Sequence, residues 1–156
     1  MIAIDIPGFG ALELDHAVLD FNGTLAMDGA LLPGVRERLG ILSTRLAIHV
    51  VTADTHGGAA TALAGLPCTL DVLPASGQAE AKRRFVESLR AERVAAIGNG
   101  RNDRLMLEAA LLGIVVVQAE GAAAATVAAA DLVVPTLADA LDLLAHPLRL
   151  VASLRD

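Results

Sequence analysis

The chain of 156 residues contains no tryptophan, no tyrosine and a single cysteine, Cys68. Without these two aromatic residues, a site that stacks bases or sugars on aromatic rings has little support. The net charge of −6 also argues against a nucleic-acid partner. One cysteine excludes an internal disulfide and is typical of a reducing compartment, and we expect Cys68 to be a small core residue in a strand.

Long apolar runs are also absent, although 54% of the residues are hydrophobic. Much of this content is alanine, and no segment approaches the roughly 18 apolar residues that a membrane-spanning helix needs. No basic residue precedes Arg36, so the N-terminus is not typical of a secretory signal peptide. The sequence therefore predicts a cytoplasmic protein without a membrane partner, and its apolar composition is compatible with a homo-oligomer.

The pattern of apolar residues predicts alternating strands and helices. Residues 1–15 alternate isoleucine and leucine with other residues around a Pro-Gly-Phe-Gly turn, which indicates a hairpin. Further strands are predicted at 17–19, 46–51, 69–73, 94–97, 114–117 and 132–134. Helices are predicted from about 33, at 55–64 with Thr55 as a possible cap, and at 78–90, 102–112, 121–130 and 137–144, the last being the final helix. This alternation predicts an α/β fold, a single domain over residues 1–156 with its core at 16–145.

Residues 20–24, Asp-Phe-Asn-Gly-Thr, form the most informative segment. They follow a buried strand, and a carboxylate at a strand end is well placed to attack phosphorus and form an aspartyl-phosphate. Alone, the segment also fits an ordinary Asn-Gly turn after a strand. The later segments decide between these interpretations.

Polar residues also follow the other predicted strands. Thr52 ends the second core strand, residues 98–103 (Gly-Asn-Gly-Arg-Asn-Asp) follow a later one, and Lys82 lies in the first turns of a helix between them. Alone, each has an ordinary explanation: a strand-end hydroxyl, a turn, a helix cap or a solvated lysine. Ligands of open parallel sheets bind outside the carboxyl ends of the strands. We therefore predict that these residues meet Asp20 around one phosphoryl group and one Mg²⁺ ion.

In this order the segments resemble the haloacid dehalogenase (HAD) superfamily of aspartate-nucleophile phosphohydrolases. The likeness is closer to the phosphorylation domain of P-type ATPases, and in particular to small P-type ATPase-like proteins without membrane segments. That domain has Asp-Lys-Thr-Gly-Thr, Thr-Gly-Asp, a lysine and Gly-Asp-Gly-x-Asn-Asp. This chain has residues 20–24, 52–54, Lys82 and 98–103 in those places, and the likeness continues through 106–114 and 129–134.

The resemblance implies a role for each matching residue. Asp20 would be the nucleophile, and the phosphate ligands would be Thr52, Ala53, Lys82 and Asn102, with Asn102 also able to hold Lys82 or the acidic loop. Mg²⁺ would be coordinated by Asp20, the backbone carbonyl of Asn22, Asn99 and Asp103. The implied fold is a three-layer Rossmann-like domain with a five-stranded parallel core and a central first strand. No cap domain fits between the motifs, and residues 26–32 could form a small flap.

Two residues depart from the family pattern. Asn22 stands where phosphatases of the superfamily carry an aspartate that acts as general acid and base. Loss of such a group typically lowers the reaction rate by a factor of about 10² to 10⁴. Asn99 stands where the family has a metal-binding aspartate, which Asp54 could replace through a bound water. We therefore expect slow hydrolysis, or dependence on a good leaving group, on a phosphorylated substrate of unknown identity.

Two other functions remain open at this stage. In a regulatory or non-catalytic domain, the changes at Asn22 and Asn99 would have removed turnover. A phospho-receiver domain also uses Asp, Thr and Lys, but only a hairpin precedes Asp20 here, where a receiver needs an acidic pair. The histidines do not have the spacing of a zinc site, and His56 is a weaker candidate for contact with bound phosphate.

Overall fold

The computed structural model describes residues 1–54 and 57–156. The strands are β1 Ile2–Ile6, β2 Gly10–Leu14, β3 His16–Asp20, β4 Ala26–Met27, β5 Ala30–Leu31, β6 Ala47–Thr52, β7 Thr69–Val72, β8 Val94–Gly98, β9 Leu112–Val116 and β10 Leu132–Val134. The α-helices are α1 Val35–Leu42, α2 Gly58–Leu63, α3 Gln78–Ser88, α4 Arg104–Ala109, α5 Ala124–Ala129, α6 Leu137–Ala145 and α7 Leu148–Leu154. The predicted cap at Thr55 and the predicted phosphate contact of His56 lie outside the described residues.

Six parallel strands form the central sheet, in the order β10-β9-β8-β3-β6-β7. The chain runs outward from β3 through β6 to β7, then crosses to β8 on the other side of β3 and continues outward to β10. The strand order therefore reverses at β3, and such a reversal opens a crevice at the carboxyl ends of the strands. The prediction of a parallel sheet with an internal first strand is confirmed, although the sheet has six strands and not five.

Two apolar layers cover the sheet because side chains of successive strand residues point to opposite faces. On one face, Leu19 and Val50 pack in the same cluster as buried residues of α1, α2 and α6. On the other face, Val18 and Val51 pack with buried residues of α3 and α4. The predicted three-layer α/β architecture is confirmed.

The N-terminal hairpin pairs β1 with β2 in antiparallel register, as predicted. Its buried residues, which include Ile2 and Leu14, belong to the same core as Leu150 of α7. The prediction that 137–144 is the last helix is wrong, because α7 follows and packs against β1. Pro147 separates the two helices as the residue before α7. Proline is tolerated at a helix start but not in its interior.

Three smaller predictions are also decided by the structure. The helix predicted at 102–112 is shorter, since Arg101–Asp103 is a 3-10 turn and Leu112 already begins β9. Cys68 is half-buried but lies just before β7, outside any strand. No helix in the described part of the chain is long and apolar enough to cross a membrane.

A small hairpin, β4–β5, follows the loop after Asp20, where the sequence predicted a flap. Its two tip residues, Asp28 and Gly29, both have positive φ angles, 51° and 79°. Tight two-residue hairpin turns of this handedness favour Asp-Gly, because glycine and aspartate tolerate positive φ. The sequence thus encodes a short hairpin here and not a cap domain.

Candidate active site

Three charged side chains are buried together at the carboxyl edge of the sheet. Asp20 ends β3, Lys82 lies in α3, and Asp103 ends the 3-10 turn after β8. Lys82 Nζ lies 2.6 Å from Asp20 Oδ1 and 2.6 Å from Asp103 Oδ1. The relative exposures of the three residues are 7%, 1% and 0% respectively. The sequence-predicted meeting of these three residues is therefore present in the folded chain.

Lys82 is directed inward by the register of α3. Lys82 and Val86, one helical turn apart, are the buried residues of this helix, and residues four apart share one helix face. Lys82 is also the only lysine in the sequence, the other eleven cationic side chains being arginines. A buried ammonium needs charged partners, and the two aspartates provide them.

Asp103 holds the loop that follows β8. Its Oδ2 accepts hydrogen bonds from the backbone N–H groups of Asn99 (3.0 Å) and Gly100 (2.8 Å). A Cβ atom at Gly98 would lie 2.6 Å from Asp103 Cγ, so only glycine allows the carboxylate to approach this closely. Both Asp103 oxygens are therefore engaged by protein donors, one by the loop and one by Lys82.

Thr24 lies between the Asp20 carboxylate and the Asn99 amide and contacts both. Thr24 Oγ1 lies 3.4 Å from Asp20 Oδ2 and 3.3 Å from Asn99 Oδ1. Asn99 Nδ2 donates to the carbonyl of Gly121 at 3.0 Å, which orients the amide oxygen of Asn99 toward Thr24. A neutral oxygen ligand thus faces the same region as the Asp20 carboxylate.

Thr52 ends β6, the strand beside β3. Its Oγ1 accepts a hydrogen bond from the backbone N–H of Asp54 at 3.2 Å. Because a hydroxyl can accept and donate at once, the Thr52 proton remains available to a ligand. Asp54 has a positive φ of 23°, and its carboxylate accepts from the N–H of Ala59 at 3.2 Å.

A cavity of about 560 Å³ opens in front of Asp20. Of the predicted site residues, Asp20, Asn22, Thr52, Ala53, Asn99 and Asn102 line it, and so do Asp54, Gln78 and Glu120. Lys82 and Asp103 lie behind Asp20 and do not line it. Asn102 donates to Gln78 Oε1 at 2.8 Å, so it ties the loop to the start of α3 and makes no hydrogen bond to Lys82.

Comparison with known proteins places the chain among relatives. No protein-family model matches it. Uncharacterized protein MJ0073 of Methanocaldococcus jannaschii is 46% identical over 80 residues, which are 49% of this chain and 86% of that protein. Uncharacterized protein MJ0072 of the same organism is 53% identical over 38 residues, 24% of this chain and 86% of that protein. The chain and MJ0073 belong to the same protein family.

Solved structures decide the fold. The 3-deoxy-D-manno-octulosonate 8-phosphate phosphatase of Moraxella catarrhalis, in complex with magnesium and phosphate ions, superposes with a TM-score of 0.68. It is 14% identical and covers 90% of each chain. The cobalt-bound phosphatase of this type from Haemophilus influenzae gives 0.69 at 17% identity, covering 90% of this chain and 92% of the other. The chain has the haloacid dehalogenase fold.

The catalytic domain of a CPx-ATPase has a similar fold. The catalytic domain of the CPx-ATPase CopB superposes with a TM-score of 0.62 at 21% identity, covering 74% of this chain and 46% of the other. The predicted resemblance to the HAD superfamily is thus confirmed at the level of the fold.

The charge balance of the buried triad is uneven. Burial and the nearby Asp103 carboxylate raise the pKa of Asp20 to about 7, although Lys82 opposes this. Burial alone would lower the pKa of Lys82, but the attraction of Asp20 and Asp103 outweighs it, and the pKa rises. The lysine therefore stays charged, and the two carboxylates share one cation.

The residues present suit a weakly held divalent ion better than a tightly held one. Among residues 1–54 and 57–156 there is no cluster of three or more His, Cys, Asp or Glu side chains that could hold a metal. Mg²⁺, however, often binds through one or two carboxylates, with waters and substrate phosphate completing its shell. The Asp20 carboxylate and the Asn99 amide oxygen provide such a partial oxygen set, and the chemistry of the site therefore fits a divalent ion.

Gln118 was missed by the reasoning from sequence. Its Nε2 donates to the carbonyls of Gly23 (3.0 Å) and Thr24 (3.1 Å), and its Oε1 accepts from the N–H of Leu137 (2.8 Å). One side chain thus links the loop after Asp20 to the start of α6. Gln118 follows β9 by two residues, so an inspection of every strand end would have found it.

His16 and His49 do not line the cavity. His16 Nδ1 and His49 Nε2 lie 3.2 Å apart, and the His49 ring contacts the Phe85 ring edge-on. His16 begins β3, at the opposite end of that strand from Asp20. These contacts give the two histidines a packing role.

Proposed function

We propose that this chain is an enzyme of the phosphatase or phosphotransferase class, acting through an aspartyl-phosphate on Asp20. The observation that carries this is the Asp20 carboxylate, which lines a polar cavity at the switch point of the sheet and is backed by the buried Lys82 and Asp103. The HAD-fold neighbours support it, since their names describe phosphatases of a phosphate ester. We propose further that it works as one domain in the cytoplasm, which the single cysteine favours.

The proposed reaction begins with attack of an Asp20 oxygen on phosphorus. Lys82 stands within hydrogen-bond distance of that carboxylate, so its fixed charge reduces the repulsion between the carboxylate and an incoming phosphate. The Thr52 hydroxyl and the backbone at Ala53 would hold phosphate oxygens at the cavity wall. Asn102 lines the same wall, although its bond to Gln78 also gives it a loop-holding role.

Mg²⁺ would be held by Asp20, the Asn22 backbone carbonyl and Asn99. When bound, it supplies positive charge that stabilises the charge developing on the transferred phosphoryl group. We revise the predicted role of Asp103 to that of holding Lys82 and the loop at Asn99, because it is fully buried, does not line the cavity and accepts hydrogen bonds with both oxygens.

Turnover is proposed to be slow. Asn22 is exposed at the cavity, and an amide cannot give or take a proton as an aspartate can. Asn99 removes one negative charge from the metal site. Both changes favour substrates with good leaving groups, and the short β4–β5 hairpin leaves the cavity open to large phosphorylated substrates.

The second candidate is a regulatory domain that is phosphorylated, or that binds phosphate, without turnover. The same two asparagines favour it. Hydrolysis of an aryl phosphate in the presence of Mg²⁺, lost in an Asp20→Ala variant, separates the two functions. If the wild type hydrolyses the aryl phosphate and Asp20→Ala does not, the result supports an enzyme. If neither protein hydrolyses it, the result supports a regulatory domain.

The direct test is mass spectrometry of the protein after incubation with acetyl phosphate and Mg²⁺. We expect a gain of one phosphoryl group on Asp20, which hydroxylamine should remove because acyl phosphates react with it. The matched control is Asp5→Asn, at an exposed position in β1, which should be labelled like the wild type. Failure of the wild type to accept phosphate from any small donor would refute the proposal.

A further inference from the structure

Glu120 is an acidic side chain of the cavity for which the proposed reaction so far has no use. It lines the same cavity as Asp20 and Asn22. It is exposed, and in the described part of the chain no side chain pairs with its carboxylate, whereas the carboxylate of Asp54 caps the start of α2.

The turn that carries Glu120 is fixed on both sides. The N–H of Gly121 donates to the carbonyl of Gln118 at 2.8 Å, which closes a tight turn over residues 118–121. At one end, the Gln118 side chain bonds to the nucleophile loop. At the other end, the carbonyl of Gly121 accepts from Asn99. Glu120 is therefore presented at the junction between the Asp20 loop and the Asn99 loop.

The carboxylate lies directly over the nucleophile loop. A Cβ atom added to Gly23 would clash with Glu120 Oε2 and would lie 2.7 Å from Asn99 Nδ2. Gly23 is the neighbour of Asn22, the exposed cavity residue whose amide cannot transfer a proton. Glu120 thus brings a carboxylate close to the place where position 22 lacks one.

We propose that Glu120 is the general acid and base of the reaction, replacing the carboxylate that Asn22 cannot supply. This inference rests on the proposed function. In the first step an Asp20 oxygen bonds to phosphorus, the bond from phosphorus to the leaving oxygen breaks, and that oxygen takes the proton of the Glu120 carboxyl. In the second step the Glu120 carboxylate takes a proton from water as the water oxygen bonds to phosphorus. The bond from phosphorus to Asp20 breaks and its electron pair stays on the Asp20 oxygen, which regenerates the Asp20 carboxylate and the protonated Glu120 and releases phosphate.

The test compares the wild type with Glu120→Gln and with Glu37→Gln, a matched change at an exposed glutamate of α1. Rapid-quench experiments would follow formation of the Asp20 acyl phosphate from p-nitrophenyl phosphate and from an alkyl phosphate, and then its decay. Glu120→Gln should slow decay about 10²- to 10⁴-fold. It should slow formation from the alkyl phosphate to a similar degree, and formation from p-nitrophenyl phosphate by less than about 3-fold, because nitrophenolate leaves without a proton. Glu37→Gln should match the wild type throughout.

A double variant sharpens the test. In an Asn22→Asp background, position 22 has its own carboxylate, so Glu120→Gln should slow decay by less than about 3-fold. The inference is overturned if Glu120→Gln decays like the wild type, or if it raises the Mg²⁺ concentration needed for half-maximal rate without changing decay or leaving-group dependence. If the wild type forms no acyl phosphate, the proposed function fails first, and that outcome is visible before any variant is made.

Discussion

Replacing Asp20 by asparagine should stabilise the metal-free protein at alkaline pH while abolishing acyl-phosphate formation. The buried triad contains two carboxylates and one ammonium. When both aspartates are ionised, the group carries one uncompensated negative charge in a buried place. Asparagine has nearly the same shape, can still accept a hydrogen bond from Lys82, and leaves one anion facing one cation.

The magnitude follows from the raised pKa of Asp20. Its folded pKa is about 7, against an ordinary value of 3.8, a difference that corresponds to about 4 kcal/mol at most. Because the folded pKa is raised, the contribution of Asp20 to stability is fully present below about pH 4 and is lost as the pH rises through about 7. We therefore expect Asp20→Asn to exceed the wild type by about 2–4 kcal/mol at pH 8.5, with a much smaller difference at pH 4.5.

Urea denaturation with EDTA, followed by circular dichroism at both pH values, measures this difference directly. Asp5→Asn, an exposed aspartate outside the site, is the control and should change stability by less than about 0.5 kcal/mol. Addition of Mg²⁺ should stabilise the wild type more than Asp20→Asn, since the variant lacks the carboxylate ligand. The reasoning is refuted if Asp20→Asn is less stable than the wild type at pH 8.5, or if the difference does not depend on pH.

Three further changes test other parts of the site. Lys82→Ala should destabilise the fold by about 3–5 kcal/mol at pH 7, because it leaves two buried carboxylates without their cation; an unchanged urea midpoint would contradict this. In a Glu120→Gln background, Asn22→Asp should increase hydrolysis of alkyl phosphates by about 10²-fold in steady-state assays, and equal rates would show that proton transfer does not limit turnover. Gln118→Leu should lower kcat about 10-fold with little change in KM, because the loop carrying Asp20 loses two of its hydrogen bonds. Gln118→Glu keeps the acceptor for the Leu137 N–H but loses the donors, so it should lower kcat to a similar degree. A wild-type kcat in both variants would exclude a positioning role for Gln118.

The parts of the site that follow from the strand pattern can be predicted from the sequence. Asp20 and Thr52 end neighbouring strands, and the carboxyl ends of parallel strands meet at one edge whatever the rest of the chain does. Lys82 was selected because it lies in the first turns of a helix between two of these strand ends, and the register of α3 brings it to the same edge. Such features depend on one element at a time, so a linear pattern can reveal them.

The features that were missed depend on where a side chain points after folding. Nothing in the order of residues shows that both Asp103 oxygens turn back to the loop and to Lys82, or that Asn102 reaches Gln78. The turn at Glu120 is fixed by contacts from two distant loops. Leu112 was assigned to a helix because the apolar run around it fits either structure, and tertiary packing placed it in a strand.

The rarity of lysine in this chain has a practical consequence for chemical labelling. Apart from the N-terminal amine, Lys82 is the only primary amine, and it is almost completely shielded from solvent. An acylating reagent should therefore modify the intact fold at its N-terminus alone, and a second adduct would appear only when α3 moves away from the sheet. The mass of the labelled chain would then report opening of this one region, with no background from surface lysines.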